Sequence, residues 1–515
     1  MTASTVFPLP HLNGATMPDL ARQDVPSAPL DRDADRYRPA FHFTPRKNWM
    51  NDPNGLVYFE GEYHLFYQYN PFGSQWGHMC WGHSVSPDLL HWTELPVAIP
   101  ETDMMIFSGC AVVDRDNVSG LGDGDAQPLL AFFTAFDKQT EIQSQHLAYS
   151  HDRGRTFTHY RDNPLIDLDL LHFRDPKVFY HAPSHAWVMV VALSREHRVL
   201  FYRSNNLLDW TPAGTFGPAG STSGQWECPD LMLVPIEGEP DAAKWVLKVD
   251  VDEGFIDGGS GAQYFIGDFD GHGFAIDRTQ APVDGAVVDF GPDFYAAVSW
   301  SDLPPEQPGP VWIGWMSNHQ TGRHYPTEPW RGAQSLPRRL FLFRENGKLR
   351  LGQRPIDAVS KLCDQPHEAR QTATDGQLSE ATAEARAFVA RVLLPAGDVG
   401  SASVQLRSND APLIEVSFDR DRQQLSFVRS NVRGLPETFA RHSSTSCASE
   451  DDILIEFYVD NCLVEIFVNG GKRVYSGCVF PGGPLELTFD PASKRGSFAS
   501  ISCSPIATAG QENSG

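Results

Sequence analysis

Ser86-Pro87-Asp88-Leu89-Leu90-His91-Trp92-Thr93 returns as Ser204-Asn205-Asn206-Leu207-Leu208-Asp209-Trp210-Thr211, and more loosely as Ser150-His151-Asp152-Arg153-Gly154-Arg155-Thr156-Phe157. The three starts lie 64 and then 54 residues apart. That period is too long for a helical repeat and suits a four-stranded sheet with its loops, the blade of a propeller. Around the repeats the chain reads as short β-like runs broken by Gly, Pro, Asn and Asp. Leu56–Phe59, the turn Glu60-Gly61-Glu62 and Tyr63–Tyr69 form one such hairpin. At roughly 60 residues per blade, the region 36–355 holds about five blades.

Past residue 355 the motif-rich pattern stops. Residues 356–382 are polar and read as a linker, and from 383 to 508 strands alternate again: Ser403–Leu406, Leu413–Phe418, Gln424–Val428, Ile453–Phe457 and Leu463–Val468. Alternation of this kind predicts a second, sandwich-like sheet domain. Residues 1–35 read as a weakly structured Pro/Ala/Asp-rich extension and 509–515 as a disordered tail. The expected class is all-β, a five-bladed β-propeller followed by a β-sandwich.

Composition narrows the partners. The 515 residues carry a formal net charge of −24, which speaks against nucleic acid and against anionic membranes. No apolar run reaches the 18 residues of a membrane span. The N-terminal stretch lacks a basic segment followed by an apolar one, so the reading is an intracellular protein or a secreted one whose signal has been removed. Eight cysteines are scattered without metal-ligand spacing and are expected as buried thiols; no metal and no cofactor is expected.

Three carboxylates stand one or two residues before a proline. Asp52 lies in Trp49-Met50-Asn51-Asp52-Pro53-Asn54-Gly55, where Pro53 biases Asp52 toward an extended backbone and Asn54-Gly55 predicts a tight reversal. Asp175 follows in Arg174-Asp175-Pro176, and Glu227 in Trp226-Glu227-Cys228-Pro229. In this order and with these neighbours, the three motifs resemble the signature of glycoside hydrolase family 32, the invertases, inulinases and levanases. The resemblance runs from about Phe41 to about Ser502.

It implies a five-bladed propeller and a β-sandwich, with Asp52 as nucleophile, Asp175 as transition-state stabiliser and Glu227 as general acid/base. It also implies a sugar pocket built from Asn51, Gln68, Trp76, Phe107, Ser108 and Trp315. Arg174 is expected to hold negative charge in place or to donate to a hydroxyl, and Asp289 to bind the leaving group, with a turn-capping role as its rival. The implied activity is retaining, exo-acting hydrolysis of terminal β-fructofuranosyl units of inulin, levan and sucrose. Rivals are a transfructosylase of the same chemistry and an inactive carbohydrate-binding propeller.

For the two carboxyls to differ in role their surroundings must differ. Glu227 is expected to be kept protonated by burial against Trp226 and by the charge of Asp52, and Asp52 to be kept ionised by hydrogen bonds. Two departures from the family pattern stand near the site. His319 follows Met316-Ser317-Asn318 where exo-inulinase relatives carry tryptophan, and Cys110 follows Phe107-Ser108-Gly109 where a serine is usual.

Overall fold

The computed structural model describes residues 35–124, 126–282, 285–360, 378–381, 386–394, 401–447, 452–491 and 500–505. The expected extension, apart from Asp35, the tail, and most of the expected linker lie outside these residues.

Five antiparallel sheets follow one another along the chain. Their first strands are Asn48–Phe59, Met104–Val113, Phe173–His181, Trp226–Pro235 and Tyr295–Ser299. These strands pack in a ring around a common axis, each against the next. The ring closes by backbone hydrogen bonds between the fifth blade and the first, Tyr58 N to Ser301 O at 3.0 Å and Ser301 N to Leu56 O at 2.9 Å. A two-strand pairing reinforces the closure, Trp330–Arg331 lying parallel to Asn48-Trp49.

The sequence repeat marks one structural position. Ser86, Ser150 and Ser204 each end the third strand of a blade, and each hydroxyl donates to the side chain two residues on, at 3.1, 2.7 and 3.1 Å. One residue further, Leu89, Arg153 and Leu207 all adopt positive φ, so the same turn delivers the chain to the outer strand three times. The predicted hairpin is present too: Asn48–Phe59 pairs with Glu62–Asn70 across Glu60 and Gly61, both at positive φ.

A blade cannot bury both of its faces alone, so the apolar residues collect at the seams. Val57, Trp81, Ile106 and Phe133 fill the first seam, and Val112, Leu130, Met189 and Tyr202 the second. Val190, Phe201, Leu247 and Phe265 fill the third, while Met232, Ile266, Trp312 and Leu340 fill the fourth. Each such fully buried side chain contributes about 1.5–3 kcal/mol of transfer free energy before entropy is set against it.

The second domain is a sandwich of a six-stranded and a five-stranded sheet. Alternation is directly visible in Ser401–Ser408, where Ala402, Val404, Leu406 and Ser408 face in and the residues between them lie nearer the surface. Leu378–Ala381 pairs with Leu485–Pro491, so the end of the segment expected as linker belongs to the six-stranded sheet.

Where sandwich meets propeller the interface is both apolar and charged. Val389, Tyr458 and Phe467 share a cluster with Phe41, Leu65 and Val311. Beside it His42 donates or accepts at both ring nitrogens, 2.9 Å from Asp460 and 3.0 Å from Glu465. Burial works against the charged ring, yet the two carboxylates outweigh it and push the His42 pKa up to about 9.

A group raised on folding stabilises fully below its unfolded pKa, near 6.5, and that contribution is lost as pH rises through the folded value. Resistance to urea should therefore fall between about pH 7 and pH 9.5, by on the order of 3 kcal/mol at most. His42→Gln should be less stable at pH 6 and should show a flatter profile over the same interval. An unchanged slope in that variant would remove His42 as the cause.

Candidate active site

Every inner strand breaks its pairing with the second strand at the same level. The register shifts fall between Met50 and Pro53, Ile106 and Gly109, Glu227 and Asp230, and Tyr295 and Val298, and opposite Val190 to Ala192 for the strand holding Asp175. Each bulge inserts unpaired residues and re-aims their side chains. The inserted residues are Asn51-Asp52, Phe107-Ser108, Asp175-Pro176, Cys228-Pro229 and Ala296-Ala297. Asp175, Cys228 and Ala296 take positive φ there, at 67°, 45° and 53°.

This corrects the expected reversal at Asn54-Gly55. The strand runs on through both residues to Phe59, with a second shift between Asn54 and Val57. Gly55, at φ 55°, is pressed against the rings of Phe66 and Trp81, a position with no room for a side chain. The prolines fit for the same reason, since an inner strand is an edge facing the axis and a bulge needs no N–H.

Two of the three carboxyls, Asp52 and Asp175, converge on Cys228. Its backbone N–H donates to Asp175 Oδ2 at 2.9 Å, and its Sγ lies 3.6 Å from Asp175 Oδ2 and 3.7 Å from Asp52 Oδ2. Asp52 also accepts from Ser108 Oγ at 2.6 Å and from Asn51 Nδ2 at 3.0 Å. Asn51 is held in turn by Trp49 Nε1 at 2.8 Å and Gln334 Nε2 at 2.9 Å. Beneath the carboxyls a small axial cavity is lined by Pro53, Ser108, Asp175, Lys177, Cys228 and Val298.

Glu227 sits between blades. One oxygen, Oε1, accepts from Arg174 Nη2 at 2.7 Å and Nε at 3.0 Å; the other accepts from the Tyr295 hydroxyl. His319 Nε2 lies 3.7 Å from Oε2. Arg174 is 4.0 Å from Asp175, so its fork serves Glu227 first. Gln143 Oε1 and Gln225 Oε1 also accept from the Arg174 guanidinium, each at 3.3 Å.

The electrostatics run against both expectations. Burial would raise Glu227, but Arg174, then His319 and Tyr295, hold its pKa below the ordinary value in the open pocket. Trp226 takes no part, because its ring lies in the third seam and its Nε1 donates to Ser221 O. Asp52 is raised, first by burial and then by Glu227, against the lowering by Ser108 and Asn51. Asp175 is pushed up to about 7 by burial, with Arg174 opposing and Glu227 and Asp52 adding to the rise.

The remaining expected residues divide. Phe107 stacks on Phe136 with centroids 4.9 Å apart, and Trp76, 48% exposed, meets Phe107 edge-on at the rim. Trp315 is buried among Trp49, Tyr295 and His319. Gln68 lies under the floor, opposite the Asn51-Asp52 bulge, and donates to Ile106 O at 2.9 Å, joining blades one and two.

Asp289 is not at the pocket. It is buried at the sandwich interface, bonded to Arg338 at 2.9 Å, to the Ser476 hydroxyl at 2.7 Å and N–H at 2.9 Å, and to Gly291 N at 2.8 Å. All its acceptor capacity is committed there, which leaves nothing for a leaving group. Sequence reasoning did not single out Tyr295, although it lies in the same stretch.

Comparison with known proteins covers nearly the whole described chain. The profile of the Glycosyl hydrolases family 32 N-terminal domain matches residues 42–355, and that of the family 32 C terminal matches residues 357–505. The chain belongs to glycosyl hydrolase family 32. It is thus a glycoside hydrolase built as a propeller and a sandwich. Among family 32 relatives it is 41% identical over 459 residues to a levanase of Bacillus subtilis, covering 86% of this chain and 66% of that one. To the extracellular exo-inulinase of Aspergillus ficuum it is 37% identical over 484 residues, 86% of this chain and 90% of that one. The exo-inulinase structure from Aspergillus awamori superposes with a TM-score of 0.86 at 34% identity, over 92% of this chain and 99% of that one. A β-fructofuranosidase from Schwanniomyces occidentalis bound to fructosyl-erythritol gives 0.79 at 30% identity, over 92% and 98%. No helix among the described residues is long and apolar enough to cross a membrane.

Proposed function

We propose that this family 32 enzyme is a retaining, exo-acting β-fructosidase that takes terminal β-D-fructofuranosyl units from levan, inulin and sucrose. The observation that carries the reading is the set Asp52 and Asp175, both on bulges, and Glu227 beside a third, with the first two gathered on Cys228 and Glu227 clamped by Arg174 and Tyr295. The levanase and exo-inulinase relatives support the substrate class.

In the first step an Asp52 carboxylate oxygen attacks C2 of the fructosyl unit. The C2–O bond to the leaving sugar breaks, and that oxygen takes the proton of Glu227. Water then gives a proton to Glu227 and attacks C2, which breaks the bond to Asp52 and restores both groups. Retention by this route asks for about 5–5.5 Å between the two carboxyls. Asp175 accepts from furanose hydroxyls as positive charge builds on the ring.

Glu227 has to carry a proton when the leaving sugar departs, and substrate binding favours that form. The side chain is 18% exposed, and a bound sugar displaces the water that solvates it, which favours the neutral form. Asn51 and Ser108 are committed to Asp52 and tune the nucleophile, while Phe107 and Trp76 supply apolar faces for the ring C–H groups.

Exo action is tested on early products. Below about a tenth conversion of inulin and of levan, chromatography should show free fructose ahead of any oligosaccharide. A pocket that encloses one terminal furanose leaves no path for a chain continuing past Asp52. Oligosaccharides of several units appearing first would overturn exo action and leave the double displacement standing.

A further inference from the structure

The loop after the strand Val311–Trp315 carries His319 to within 3.7 Å of Glu227, and two of the loop's ties to the sandwich flank His319. At the first, Gln320 Oε1 accepts from Arg441 Nη2, the first residue of the sandwich edge strand Arg441–Ser446, while Gln320 Nε2 donates to Gly258 O at 2.9 Å. At the second, Asn318 Nδ2 donates to Asp293 Oδ1 at 2.6 Å, and the other Asp293 oxygen accepts from Arg429 of the sandwich and from Cys478 N at 2.7 Å. Asn318 Oδ1 in turn accepts from Gln320 N at 3.0 Å and Thr321 N at 2.8 Å, which fixes the turn on either side of His319.

The side chain so delivered is 44% exposed and faces the pocket. It meets Tyr295 edge-on at 4.7 Å and Trp315 at 5.7 Å, and its backbone N–H donates to Ser260 Oγ at 3.2 Å. Nothing in the chemistry of hydrolysis requires the second domain to touch this loop. We propose that the sandwich domain, through Arg441–Gln320 and Arg429–Asp293–Asn318, positions His319 against Glu227 and so sets the charge that the acid/base faces.

The inference rests on Glu227 being the acid/base. The charged and titratable groups around it come from every blade but the second: Asp52 from the first, His172, Arg174 and Asp175 from the third, Asp250 and Asp252 from the fourth, Tyr295 and His319 from the fifth. Of these, Asp252 and Tyr295 also lie near segments tied to the sandwich, through Asp257 to His442 N at 3.0 Å and through Asp293 to Arg429, while His319 is flanked directly by two such ties, at Asn318 and Gln320. Arg441 and Gln320 are positioning residues and touch neither the reacting atoms nor Glu227.

The His319 ring, 3.7 Å from Oε2, favours the ionised carboxylate. Its removal therefore raises the pH at which Glu227 loses its proton, and the basic limb of kcat/KM moves up. For His319→Ala we expect a move of about half a unit to one unit. Arg441→Ala and Gln320→Ala should move the limb in the same direction by a smaller amount, and neither should move it further in the His319→Ala background. The limb position is independent of the amount of folded enzyme, so a partial loss of stability does not imitate it. The inference is overturned if Arg441→Ala and Gln320→Ala both leave the limb at its wild-type position, or if they shift it equally with and without His319. Failure of Glu227 as acid/base would show separately, in the anion rescue described below.

Discussion

Asp52→Ala should leave less than about one part in ten thousand of wild-type kcat on sucrose, with no fructosyl-enzyme trapped on rapid quenching. Asp52 is the carboxylate placed by the first bulge and aimed into the pocket by Asn51 and Ser108, and no neighbouring group can take over attack on C2. Asp175 is enclosed beneath Cys228 N–H and is pushed toward the protonated form, so it is a poor substitute nucleophile. Retention of more than about a hundredth of the rate, a barrier increase below about 2.7 kcal/mol, would show that Asp52 is not the nucleophile. Because burial and Glu227 raise Asp52, the acid limb of kcat/KM should also lie above the pH expected of a free aspartate.

Glu227→Ala should lose a factor of about 10² to 10⁴ on sucrose, where the leaving sugar needs a proton, and much less on a fructoside with an acidic leaving group. Removal of the side chain opens space beside Arg174 and Tyr295, both of which then lack their anionic partner. Azide should enter that space, attack the fructosyl-enzyme without base help and release a fructosyl azide of retained configuration. The measurement is the rate of leaving-group release with and without azide, together with the configuration of the product. No acceleration by azide, with an intact fold by circular dichroism, would place the acid/base elsewhere.

Much of the molecule is legible in its sequence because the constraints are local. The Ser-x-Asp/Asn turns announce the blades, since a serine hydroxyl bonded two residues on and a positive φ one residue later are properties of a single tetrapeptide. Alternation in Ser401–Ser408 announces the sandwich for the same reason. The carboxylates Asp52, Asp175 and Glu227 are legible through their prolines, which only an edge strand with a bulge accommodates.

The sequence by itself determined the all-β class, the blade period and the two-domain order, and it singled out the three candidate carboxylates. Tertiary structure alone decided which partner each charge has. Asp289 and His319 look alike in the sequence, polar residues beside family motifs. Packing sends Asp289 to Arg338 and Ser476 at the sandwich and brings His319 to Glu227. It likewise gives Arg174 to Glu227, 53 residues away, in preference to the adjacent Asp175. The physical reason is that Coulomb interaction and desolvation depend on distance in space and on burial. Five bulges from five separate strands set both, and no local stretch of the chain encodes how those strands meet.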